Sequence, residues 1–153
     1  MKLLTEVMIF EDMKFRQRLK KLQTAEQAVM DAYDPDIQKA RADKNWDEEQ
    51  GIASMMFSER DSVRSEILSL QHRYITKQAD RLLLPIPKFD TKSSDWIYSE
   101  YSGRWTLSPD VLTRLGREVR QERRERLELT FLWPSAMIGL LGGLIGIFTA
   151  FWR

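Results

Sequence analysis

The sequence predicts a mainly α protein with three parts. These are an antiparallel, coiled-coil-like helical hairpin, a small aromatic β-hairpin or loop, and a long final helix that continues into one C-terminal transmembrane helix. Three observations carry this expectation. Apolar residues recur every seven positions in two stretches separated by an acidic, Pro-containing bend. Paired prolines and β-prone aromatic runs cluster within 85–108. Leu129 to Trp152 is a run of 24 positions without a single charge. The expected divisions are a helical hairpin over 1–84, a connector with the aromatic hairpin over 85–108, a basic helix over 109–128 and a span over 129–152.

In the first stretch, Met8, Phe15, Leu22 and Val29 recur at heptad spacing, with Leu4, Leu19 and Tyr33 on or beside the same face. Asp34-Pro35-Asp36 is expected to break or bend this helix at Tyr33. Ile37 to about Glu49 is helix-compatible but highly charged, with six acidic and three basic residues between Asp34 and Gln50. Asp43, Asp47, Glu48 and Glu49 lack the alternating ligands and turn glycine of a calcium loop, so they read as solvated. The second stretch places Met56, Val63 and Leu70 at heptad spacing with Ile67 and Tyr74 between them, and is expected to reach Leu83 or Leu84. The predicted seam joins Leu22 and Val29 to Met56, Val63, Ile67 and Leu70.

Leu84-Pro85-Ile86-Pro87 stops the second helix and gives an extended connector. Trp96-Ile97-Tyr98 and Arg104-Trp105-Thr106-Leu107 flank Ser-Glu-Tyr-Ser-Gly, the pattern of a short hairpin. A lone hairpin is marginal in water, so its tryptophans are expected to pack on the helices. Ser108-Pro109-Asp110 then starts a helix, with Ser108 as cap and Pro109 at the first helical position.

The uncharged run would be about 36 Å long as a helix, against a hydrocarbon core of about 30 Å. Trp133 and Trp152 would stand about 28 Å apart, one anchor at each interface. From Arg114 to Arg126 there are six Arg and three Glu before the run, and only Arg153 follows it. The positive-inside rule then places 1–128 in the cytoplasm. The N-terminal stretch is broken by Glu6, Glu11 and Asp12 and does not read as a signal peptide, so the expected layout is tail-anchored.

Composition narrows the function classes. The chain has 153 residues, 24 basic and 23 acidic side chains, a net charge of +1, no Cys and one His. Disulfide scaffolds, cysteine nucleophiles and thiolate or His-rich metal sites are thereby excluded. The motifs of nucleotide phosphate loops, dinucleotide folds, serine hydrolases and zinc proteases are all absent. His72 has no Asp, Glu or Cys at ligand spacing and reads as a surface or half-buried residue. Charge balance in the polar part argues against nucleic acid as a partner.

The elements QADRLLLPIP, FD, Trp96, SEYSGRWTLS, LGREVRQERRER and IGLLGGLIGIFTAF together resemble a widespread group of small bacterial single-span membrane proteins. That group has a helical hairpin, an IPxP connector, a GxW-L-T/S turn, an Arg/Glu-rich helix and a Gly-rich C-terminal span. The likeness covers roughly Gln78 to Trp152, with Ser108-Pro109 in place of the usual Thr and an unexpected Gly116. It implies an architecture and a bacterial inner-membrane location, and no activity.

The candidate site residues are therefore structural rather than catalytic, and no cofactor or metal is expected. Ser135, Gly139 and Gly143 form one small-residue row, and Gly142, Gly146 and Ala150 another, the spacing that lets helix backbones approach in lipid. Arg123, Arg124 and Arg126 are candidates for contact with anionic lipid. The expected function is a non-enzymatic, tail-anchored module with a cytoplasmic interaction surface, whose partners are membrane lipids and either a second copy or another membrane protein. The alternative is a membrane-active effector whose Gly-rich spans assemble and perturb the bilayer. The lack of ionisable residues in the span counts against a defined ion pathway.

Overall fold

The computed structural model describes the backbone of residues 2–128 and the side chains from Phe10 onward. It is mainly helical, with a small antiparallel two-stranded sheet. The order is α1 (Lys2–Ala42), α2 (Trp46–Arg81), β1 (Trp96–Ser99), β2 (Arg104–Leu107) and α3, residues 109–128. Among the described residues no helix is long and apolar enough to cross a membrane. The expected span, its tryptophans and its small-residue rows lie outside the described residues.

α1 and α2 form the expected antiparallel pair, but α1 does not stop at Asp34. It continues through Pro35 to Ala42. An interior proline lacks the amide that would bond the carbonyl four residues back, here that of Asp31. Tertiary packing offsets that loss. Tyr33 Oη donates to Glu59 on α2 at 2.9 Å, Ile37 is half-buried and Ala40 is fully packed away. The reversal sits later, at Lys44 and Asn45. Lys44 takes φ 54°, and the Asn45 side chain accepts the Glu48 amide while donating to the Glu48 carboxylate at 2.8 Å. Asp47, Glu48 and Glu49 fill the first turn of α2, where negative charge complements the helix dipole.

α2 ends at Arg81, slightly before the expected Leu83 or Leu84. The Leu84 amide closes back on the Ala79 carbonyl at 2.9 Å and the Leu83 amide on that of Asp80 at 3.0 Å. Leu83 carries φ 60°, a conformation that glycine usually supplies at a helix end.

The hairpin forms as expected, pairing Trp96 with Leu107 through to Ser99 with Arg104. Gly103, at φ 61°, supplies the left-handed residue of its turn. The hairpin lies along α2. Tyr101 Oη reaches Ser58 at 3.4 Å, the Ser99 and Ser65 hydroxyls are 2.7 Å apart, and the Leu107 amide donates to His72 Nδ1 at 3.2 Å. Ser108 caps α3, its Oγ accepting the Val111 amide at 3.4 Å.

The core is not the heptad seam. Leu22, Val29, Met56, Val63, Ile67 and Leu70 are only half-buried. Two helices side by side cover one flank of each seam residue, and α3 covers only the latter part of α2. The buried cluster is Ala79 of α2, Leu82 just beyond its end, Leu107 of β2, and Val111, Leu112, Leu115 and Val119 of α3. It draws on the stretches the sequence divided at 84 and 108.

Candidate functional site

α3 carries the basic residues that the sequence singles out, and its placement decides what they can reach. It packs on α2 in parallel. Gly116 faces Ile75, Arg123 bonds Gln78 and Arg126 bonds the Leu82 carbonyl. Since α1 is antiparallel to α2, the N-terminal end of α1, the C-terminal end of α2 and the C-terminal end of α3 meet at one end of the molecule.

A polar knot ties the three helices together there. Arg123 Nη1 donates to Asp12 Oδ2 at 3.0 Å and Nη2 to Gln78 Oε1 at 2.5 Å. Tyr74 Oη donates to the other Asp12 oxygen, and the Tyr74 ring stacks flat on Phe15, with centroids 3.8 Å apart. Burial and the Asp12 carboxylate push the Tyr74 hydroxyl up to about 12, so it stays a neutral donor. Gln78 is completely buried, and Gln78 Nε2 and Arg123 Nε have no hydrogen-bond partner among the described residues. Glu11 closes the outer edge, accepting from Lys77 at 2.9 Å and Arg81 at 2.7 Å. Hydrogen bonds from Arg81 first, then Lys77, hold its carboxyl below the usual range.

The three arginines proposed for lipid contact are thus placed differently. Arg123 is turned inward onto Asp12 and Gln78. Arg126 pairs with Glu122 at 2.7 Å and donates to the Leu82 carbonyl at 3.1 Å. Arg124 faces outward and is exposed. Asp12, Tyr74 and Gln78 were not legible as a group, because 66 positions separate the first from the last; Asp12 and Gln78 read as polar surface and Tyr74 as part of the apolar stripe.

His72 is half-buried and joins the hairpin to α2. Its ring meets Trp96 edge-on at 5.7 Å, and Trp96 in turn donates from Nε1 to the Lys88 carbonyl at 2.9 Å. Burial first, then the charge of Arg73, push the imidazole below its ordinary pKa. Neutral His72 can accept the Leu107 amide, whereas the imidazolium cannot.

A cleft of about 730 Å³ lies between the hairpin and α3 and mixes Asp95, Asp110 and Glu118 with Arg114 and Arg117. A smaller one of about 230 Å³ mixes Arg18, Arg73 and Arg104 with Glu66. Among the described residues no group of carboxylates and histidines could hold a metal. Comparison with known proteins adds no likeness: no family model, no curated protein and no solved structure matches this chain.

Proposed function

We propose that the chain is a single-span membrane protein whose helical module is held at the cytoplasmic face of a bacterial inner membrane, where it serves as an interaction platform. The observation that carries this reading is the 24-residue uncharged run beginning at Leu129, directly after a helix bonded to both α1 and α2. A span entering there would hold the module at a fixed attitude rather than on a loose tether. The six arginines before the run and the one after it support the orientation. The rows Ser135, Gly139, Gly143 and Gly142, Gly146, Ala150 support pairing of the span with a second copy or another membrane helix.

Topology reporters test the orientation. One that works only outside the cytoplasm is expected to be active after Arg153 and silent at the N-terminus; the reverse pattern overturns it. Gly143→Ile, and separately Gly142→Ile, should lower self-association in a membrane two-hybrid assay, while Leu140→Ile changes little. Growth arrest with loss of membrane potential on overexpression, abolished by deleting 129–153, would replace the platform with a membrane-active effector.

A further inference from the structure

The end of the molecule from which the uncharged run departs carries large apolar side chains facing outward. Leu83 is 88% exposed, Leu127 59% and Phe10 51%. They lie at one level. Glu11, next to Phe10, is bonded to Arg81, and the Leu82 carbonyl, next to Leu83, is bonded to Arg126. Leu83 is unfavourable twice over. It holds a left-handed backbone, φ 60°, that suits glycine, and it shows nearly its whole side chain to the surroundings. The helix-end bonds to the Ala79 and Asp80 carbonyls account for the backbone, but nothing in the described fold covers a leucine side chain there, where glycine would serve.

From this we infer that Phe10, Leu83 and Leu127 form a bilayer-docking rim, by which the end of the helical module rests in the headgroup layer. The inference rests on the membrane reading above and deepens it. Leu129 follows Arg126 by three positions, about 4.5 Å along a helix. The interfacial layer on each side of the hydrocarbon core is about 5–8 Å deep, so the rim lies within it. The polar residues around the rim suit that layer. Arg124 is exposed, and the Lys14 ammonium sits 4.3 Å over the Phe10 ring, an apolar body with a charged tip as is common at interfaces. The α1 backbone continues past Phe10 to Lys2 at this same end. The bilayer is the occupant that fits, because the rim is continuous in the chain with the proposed span and the carboxylate beside Phe10, that of Glu11, is held by Lys77 and Arg81.

The absence of cysteine makes single-site spin labelling of the full chain clean. Nitroxides are placed at Leu83→Cys, Phe10→Cys and Leu127→Cys, with Met55→Cys as the distant control and Leu140→Cys as the reporter of the span. The protein is reconstituted in phosphatidylcholine vesicles containing phosphatidylglycerol. Power saturation compares accessibility to oxygen and to an aqueous nickel chelate. Labels at 10, 83 and 127 are expected at headgroup depth, the label at 55 in water and that at 140 in lipid. An aqueous label at 83 beside a lipid-embedded one at 140 overturns the rim and leaves the membrane reading standing; an aqueous label at 140 overturns both. Leu83→Gly separates docking from folding. It is expected to raise the melting temperature in detergent and yet make the label at position 10 more accessible to the chelate. A raised melting temperature with unchanged accessibility would mean that residue 83 serves only the helix end, and the rim would be withdrawn.

Discussion

His72 and Gly116 show how single residues set the contacts between elements. His72 links hairpin to helix only while its imidazole is neutral. Its folded pKa lies below the ordinary 6.5, so the folded state takes up its proton later than the unfolded chain as pH falls. The stability from the neutral ring is therefore complete above about pH 6.5 and is lost progressively as pH drops from there toward the folded pKa. The melting temperature should fall more steeply from pH 7 to pH 5 in the native chain than in His72→Asn, whose side-chain oxygen can still accept the Leu107 amide without titrating. Parallel slopes would mean that His72 is not the group responsible. Gly116 makes a second case. A Cβ there would meet Ile75 Cδ1 at 3.7 Å and Arg120 Nη1 at 3.6 Å, ordinary contact distances. Gly116→Ala should accordingly stabilise the fold by about 0.5–1 kcal/mol through helix propensity, read as a raised midpoint in thermal denaturation. Loss of stability would show that α3 cannot tolerate even a methyl group against α2.

At the scale of elements, the sequence made the helical pair and the aromatic hairpin legible because both rest on short-range signals: heptad spacing, paired prolines, a glycine turn. It misplaced the end of α1 because the penalty of Pro35 is local, whereas what overrides it comes from α2, through Tyr33 to Glu59 and the burial of Ala40. Pro35→Ala should raise stability by up to about 3 kcal/mol; an unchanged midpoint would indicate that α1 has already relaxed around the missing bond. The core was misplaced for a related reason. Val111, Leu112, Leu115 and Val119 form a helical stripe visible in the sequence, but nothing local to it specifies that it packs against Ala79 and Leu107. The seam residues kept their heptad register and still reach only half-burial, because periodicity marks which face turns inward and not how much covers it.

For the whole molecule, the Asp12–Tyr74–Gln78–Arg123 knot is where the three helices become one body, and it had no sequence signature at all. Its groups are about a quarter exposed at the ion pair, and two of its nitrogens lack hydrogen-bond partners among the described residues, so its net contribution should be modest. In a double-mutant cycle of Asp12→Asn and Arg123→Gln, a coupling of about 1–2 kcal/mol is expected, measured as thermal stability of the full chain in detergent. Strict additivity would show that the helices meet at this end through apolar contact alone.

The parallel course of α2 and α3 also has a mechanical meaning. Contacts at Gly116, Arg123 and Arg126 are spread along α3. Tension applied at residue 128 along the helix axis would therefore strain them together, in shear, instead of opening them one after another. A sideways pull would peel the same contacts in turn, beginning at the Leu82 carbonyl. Force along the direction of chain exit should meet the greater resistance, and the half-buried α1–α2 seam near the 43–45 turn should yield before the joint to α3 does.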